Sequence, residues 1–209
     1  MRVAYIDTMG IVKWVEGSKL YRNAYNRLSA RVQKGQLVCF TSMFAVSEAL
    51  DQLKENEYYL RRMKKGFFPS TIQRDSHTRK MSLERRQLRN ASSKIEDWIK
   101  KTKHVVNLPN LSNNPTYSVA VHSLSLDISL NSSIHAPDAL HVAWALVLGC
   151  DCFLTGDEHL KHEVNTHFKP SSKMFSTAVR SLCTMKGVSK TQLLGGKTYL
   201  ICARGFRNL

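Results

Sequence analysis

Residues 137–157 read Pro137-Asp138-Ala139-Leu140-His141-Val142-Ala143-Trp144-Ala145-Leu146-Val147-Leu148-Gly149-Cys150-Asp151-Cys152-Phe153-Leu154-Thr155-Gly156-Asp157. Pro137 is a favoured first helical residue. Asp138 then falls in the first turn, where the helix dipole stabilises an anion. The stretch that follows is small and apolar, so the helix expected over 138–148 packs tightly, and Gly149 ends it. Residues 152–154 form a short apolar strand, and Asp157 lies just beyond it.

Outward from this stretch, the same arrangement returns twice. An apolar strand over residues 1–6 runs into Asp7, and a second over 37–40 is followed at a short distance by Glu48. A third strand is expected over 105–108, ended by Pro109, and a last one near 198–203. Helical spacing of apolar residues covers 11–34, the stretch around Glu48, 81–103, 117–130 and 175–185. Gly35 closes the first of these helices, and Thr41 or Ser42 can cap the second. Short strands alternating with helices predict βαβ units and a parallel sheet, an α/β fold.

In an open α/β sheet the strand C-termini line one edge, and sites form there. Asp7, Glu48, Asp138 and Asp157 are all placed to reach that edge. Each has a bland reading by itself, as a turn, a cap or a solvated helix position. Together they form a quartet of carboxylates that repel or take up protons unless a cation neutralises them. Hard ions that choose oxygen ligands, Mg²⁺ or Mn²⁺, are the economical partners. Thr8 offers a hydroxyl beside Asp7.

Charge points the same way. The 209-residue chain carries 31 Lys and Arg against 16 Asp and Glu, a formal +15. Residues 54–104 hold fifteen of the cations and six acids, whereas residues 105–157 hold no cation and four acids. An acidic pocket in a basic surface fits a polyanion processed by metal ions. Arg61, Arg62, Lys64, Lys65, Arg79, Lys80, Arg85, Arg86 and Arg89 are candidates for phosphate contacts. Tyr58, Tyr59, Phe67 and Phe68 lie among them and could stack on unpaired bases. The competing reading is a solvated helix face over a small aromatic cluster.

Other classes fit poorly. The longest apolar run, 142–148, is too short to cross a bilayer. Five cysteines without a pattern fit a reducing cytosol better than a disulfide framework. Cys150 and Cys152 with His141 and His159 match no common zinc spacing, so core thiols are expected. The Gly195-Gly196-Lys197-Thr198 stretch lacks the earlier glycine of a phosphate loop, because Thr191 stands there. A phosphatase of the haloacid dehalogenase type needs a second acid two residues after the first, and Met9 occupies that position.

The ordered set Tyr5-Ile6-Asp7-Thr8, Thr41-Ser42 with Glu48-Ala49-Leu50, and Pro137 to Leu146 running on to Phe153-Leu154-Thr155-Gly156-Asp157-Glu158-His159-Leu160 resembles the PIN-domain family of metal-dependent ribonucleases. The resemblance covers roughly residues 1–165. It implies a PIN-like three-layer α/β/α fold with a central parallel sheet, a basic helical insertion at about 54–104, and a C-terminal extension at 166–209 packed on the same domain. The family's four acidic positions fall on Asp7, Glu48, Asp138 and Asp157, and its accessory hydroxyl on Thr155. Met9 stands where the family often has Asn. The activity implied is endonucleolytic hydrolysis of RNA with Mg²⁺ or Mn²⁺. Many compact members are VapC-type toxins inhibited by a small antitoxin, so an antitoxin partner is implied, and a homodimer is implied because PIN-like domains often dimerise; the cysteines add a cytoplasmic location. A non-catalytic RNA-binding protein on the PIN fold and a DNA nuclease are the alternatives, and only the resemblance tips the choice to RNA.

Overall fold

The computed structural model describes residues 1–17, 19–72, 85–109, 115–168, 173–187 and 202–205. Their order is β1 (Arg2–Ile6), α1 (Thr8–Glu16), α2 (Lys19–Gln33), β2 (Leu37–Phe40), α3 (Met43–Lys64), α4 (Arg85–Thr102), β3 (Val106–Asn107), α5 (Pro115–Asn131), α6 (Ala136–Val147), β4 (Cys152–Thr155), α7 (Glu158–His167), α8 (Lys173–Lys186) and β5 (Cys202–Gly205). The five strands form one sheet in the order β3-β2-β1-β4-β5, and every pairing is parallel. Helices cover both faces, so the expected three-layer α/β/α architecture is what the chain adopts.

The alternation of strand side chains builds the two cores. Ala4 and Ile6 of β1, with Cys152 and Leu154 of β4, face a layer made by α1 to α4, including Ile11, Leu28, Leu53, Ile95 and Trp98. Tyr5 and Phe153 face the other way, into α5 to α8, against Val142, Leu146, Leu124 and Leu182. Such strands are apolar on both sides, as buried parallel strands must be. The change of face follows from topology. Strand order runs from β1 to β3 in one direction, then returns to β4 on the far side of β1. Right-handed crossovers then place the later helices on the opposite face.

That reversal puts a switch point between β1 and β4. Register pairs Ile6 with Leu154, and the backbone N–H of Asp7 donates to the carbonyl of Leu154 at 3.1 Å. The residues leaving both strands therefore start side by side. The Thr41 hydroxyl donates to the carbonyl of Ile6 at 2.7 Å, bringing the exit of β2 to the same edge.

Several elements depart from expectation in their bounds. The helix expected over 11–34 is two helices, because Gly17 adopts φ 62°, a left-handed conformation that caps α1 through an N–H···O bond to Trp14. The strand expected over 105–108 shortens to Val106–Asn107. Among the described residues of the basic stretch 54–104, α3 runs unbroken through residue 54, and α4 buries Ala91, Ile95 and Trp98 in the domain core. Of residues 166–209, α8 contributes Ala178, Val179 and Leu182 to the core and β5 completes the sheet. The strand expected near 198–203 is seen over Cys202–Gly205, and the 195–198 stretch lies outside the described residues.

Candidate functional site

Asp7, Glu48, Asp138 and Asp157 line one cleft of about 470 Å³ at the switch point. The four come from different elements. Asp7 is the N-cap of α1, where its Oδ1 accepts from the N–H of Gly10 at 2.7 Å. Glu48 projects from the second turn of α3, a helix whose N-cap is Ser42. Asp138 sits in the first turn of α6, behind a proline. Asp157 caps α7, its Oδ1 accepting from the N–H groups of His159 and Leu160 at 2.8 and 3.0 Å. The capping read as a structural role for Asp7 and Asp157 is present, and it coexists with a place in the cleft. One capping oxygen fixes each side chain while the carboxylate still faces the shared space.

The electrostatics differ from group to group. Asp7 is 2 % exposed, and burial pushes its carboxyl up to about 6, against the opposing pull of Thr155, His141 and the Gly10 amide. Burial also raises Asp138; His141 and His135 offset this in part, and Asp157 and Glu48 add to it. At Glu48 burial acts upward too, but hydrogen bonds from His141 and Thr8 outweigh it and hold the carboxyl below its ordinary value. The cleft thus holds one carboxylate whose donors outweigh burial and two in which burial outweighs the groups that favour their charge.

The first of these, Glu48, depends on a buried chain of hydrogen bonds. The Thr8 hydroxyl donates to Glu48 Oε2 at 2.6 Å. His141 Nε2 lies 2.6 Å from the same oxygen and 3.0 Å from Thr8 Oγ1. An ionised Glu48 only accepts, so Nε2 carries a proton and donates. His141 Nδ1 is 3.1 Å from the Tyr5 hydroxyl, which is 2.8 Å from Ser42 Oγ. Burial pushes the Tyr5 phenol far above its ordinary value, so it keeps its proton. The chain can run in one direction, with Ser42 donating to Tyr5, Tyr5 to His141 Nδ1, and His141 Nε2 to Glu48. Ser42 in turn accepts from the Ala45 N–H at 3.1 Å.

Sequence reading did not foresee the roles of His141, Tyr5 and Ser42. The signal was present: Asp138 and His141 are three apart on one helix and share a face. Sequence reading also missed Asp51 and Glu55, which follow Glu48 at helical spacing and line the same cleft with Gln52 and Met9. Asp51 pairs with Lys54 at 2.8 Å and is well exposed. Of the two accessory hydroxyls, that of Thr8 is bonded to Glu48 and not to its neighbour Asp7. Thr155 Oγ1 accepts from the Asp157 N–H at 2.9 Å while its hydroxyl also lowers Asp7.

The donor set is oxygen throughout, which suits Mg²⁺ or Mn²⁺ rather than a thiophilic metal. Cys39, Cys150 and Cys152 are core thiols away from the cleft. The carboxylates share a space without closing into a cage: among the described residues, no three His, Cys, Asp or Glu side chains are gathered into a group that holds an ion. What fits a hard cation is the chemistry of the donors and the raised carboxyls of Asp7 and Asp138, whose charge a cation would compensate.

The predicted phosphate contacts divide. Arg61, Arg62 and Lys64 occupy the last turn of α3, with Lys65 as its C-cap. Arg85, Arg86 and Arg89 open α4 and are exposed. Arg61 Nη1 donates to Gln87 at 3.2 Å, tying the two basic helix ends together. Arg79 and Lys80 lie outside the described residues. Tyr58 is buried, and the Arg62 guanidinium stands 3.5 Å over the Phe67 ring. Those two rings therefore serve the aromatic cluster, while Phe68 is 76 % exposed.

Neither a family model nor a curated protein matches the chain. Among the described residues, no helix is long and apolar enough to cross a membrane.

Proposed function

We propose that this chain is a metal-dependent endoribonuclease of the PIN type. The observation that carries the reading is the meeting of four carboxylates, from four separate stretches of sequence, in one cleft at the topological switch point. Structural demand explains each acid alone. It does not explain why burial and mutual repulsion are tolerated in the same place.

Asp7, Glu48, Asp138 and Asp157 would hold Mg²⁺ or Mn²⁺. Such an ion lowers the pKa of a water and neutralises charge that develops on a phosphodiester during in-line attack. The protein's own residues supply placement. Thr8 and His141 aim Glu48, Tyr5 and Ser42 hold the imidazole, and Thr155 steadies Asp7 and Asp157. The basic ends of α3 and α4 attract the strand, and no side-chain nucleophile is required. A role as a toxin with its antitoxin, a homodimer and a cytoplasmic location belong to the same proposal. Among the described residues, the buried free thiols of Cys39, Cys150 and Cys152 support the last of these.

The test is incubation of structured and unstructured RNAs, and of matched DNAs, with Mn²⁺, Mg²⁺ or EDTA. Cleavage of RNA in either metal, abolished by EDTA and by Asp138→Asn, is the expected result. A wild type that binds RNA but never cuts would leave only the binding-protein alternative, and cutting of DNA alone would move the substrate.

A further inference from the structure

We propose that a second cavity, beside the carboxylate cleft, receives one unpaired nucleobase of the strand whose phosphate is cleaved; this rests on the nuclease reading above. The cavity measures about 570 Å³ and opens between the start of α3, the end of β3, α5 and α6. Phe44, Val121, Leu140 and Trp144 provide aromatic and aliphatic walls, and Ser118 and His122 provide polar edges.

Three observations select a base as the occupant. First, the two spaces share a wall. Leu140 faces the cavity and the next residue, His141, faces the cleft. The Phe44 and His141 rings are 5.2 Å apart. Ser42 lines the cavity and also starts the hydrogen-bond chain that ends on Glu48. A strand with its phosphate over the carboxylates has its neighbouring base at this opening.

Second, the charge is right for the uncharged end of a nucleotide. Residues 105–157 contain no Lys or Arg, so α5 and α6 carry no fixed cation to draw a phosphate to this cavity, whereas α3 and α4 end in cations. Third, the surface combines flat apolar groups with a hydroxyl and an imidazole one turn apart on α5. Unpaired RNA bases are held this way, stacked on aromatic groups and hydrogen-bonded along an edge.

The experiment has two arms. In the first, an RNA cut by the wild type is remade with a single abasic nucleotide at each position flanking the cut. One position next to the cut should lower kcat/KM by roughly 5- to 150-fold, the range for one stacked base. Ser118→Trp, which fills the cavity from a half-buried position, should cut the intact RNA as slowly as the wild type cuts that abasic one. It should also lose the difference between the two. His122→Trp, at an exposed position, serves if Ser118→Trp fails to fold. A wild type that cuts but shows no sensitive position, or filled variants with an unchanged abasic profile, would overturn the base pocket and leave the nuclease reading standing.

The second arm is independent of cleavage. Trp144 lines the cavity, whereas Trp14 and Trp98 belong to the opposite core. In EDTA, a trinucleotide should change the tryptophan fluorescence of the wild type and not that of Trp144→Phe, which retains only Trp14 and Trp98 on the opposite side of the sheet. No change with any trinucleotide sinks the proposal even if RNA is never cut.

Discussion

The two ends of α3 have opposite characters. Its stretch from Glu48 to Glu55 lines the cleft with Glu48, Asp51 and Glu55, and its last turn carries Arg61, Arg62 and Lys64. From Glu48 to Arg61 is about 20 Å at 1.5 Å per residue. The carboxylate of Glu48 is held by Thr8 and His141 and linked through them to Tyr5 and Ser42. At the basic end Arg62 stands over the Phe67 ring and Arg61 donates a hydrogen bond to Gln87. Chemistry needs an end whose geometry is fixed within tenths of an ångström. Long-range attraction needs only net charge. One helix joins the two, so on the proposed nuclease reading a strand gathered at one end would be presented to the other.

The largest expected effect comes from removing a cleft carboxylate. Asp138→Asn and Asp7→Asn should each lower cleavage by on the order of a thousandfold or more, because the charge that holds the ion is lost. Neither should unfold the protein. Asn at position 7 keeps an oxygen for the Gly10 N–H and removes a charge that burial disfavours. Thermal melts in EDTA should show Asp7→Asn at least as stable as the wild type. Added Mn²⁺ should raise the midpoint of the wild type only. Equal stabilisation of all three proteins by Mn²⁺ would place the ion elsewhere and break the contrast between the ends of α3.

His141 is next in size. Residues that orient a metal ligand typically contribute 10- to 100-fold, and His141→Ala should fall in that range for both Mn²⁺ affinity and kcat. His141→Gln can still donate to Glu48 and should recover part of the loss. Tyr5→Phe removes one donor to the imidazole and should cost a few-fold in activity and about 1 kcal/mol in stability. Affinity measured by Mn²⁺ electron resonance separates positioning from packing. If His141→Ala melts early yet binds Mn²⁺ normally, the imidazole is a core residue and nothing more.

Much of this site was legible before any fold was known, for a physical reason. A buried parallel strand must be apolar, so the first acid beyond it stands out, and strand C-termini share one edge. Asp7 and Asp157 are visible by that logic alone, and Asp138 by its proline and helix start. Glu48 was harder, because α3 carries acids at four-residue and shorter spacings and no local rule ranks them. His141 was hidden among apolar neighbours, since a single sequence does not show which buried imidazole meets which carboxylate across 93 positions. The break at Gly17 was missed because apolar periodicity continues on both sides of it, and only the left-handed φ of 62° separates α1 from α2. The switch point itself cannot be read locally, as it depends on β4 passing to the far side of β1.

The smallest effect belongs to the basic end, and it sharpens the contrast most. Lys64 and Lys65 are exposed at the close of α3. If each contacts one phosphate, Lys64→Ala/Lys65→Ala should flatten the salt dependence of single-stranded RNA binding by about 1.4 in log K against log[salt]. Affinity for Mn²⁺ and the maximal rate on saturating RNA should stay at wild-type values, because these side chains are remote from the cleft. His141→Ala should show the reverse, a lost rate with an unchanged salt slope. Two variants on opposite ends of the molecule that each move only their own observable establish a division between capture and chemistry. A double lysine variant whose slope matches the wild type assigns the strand's path to Arg85, Arg86 and Arg89 on α4 instead, the other basic surface that the structure presents beside it.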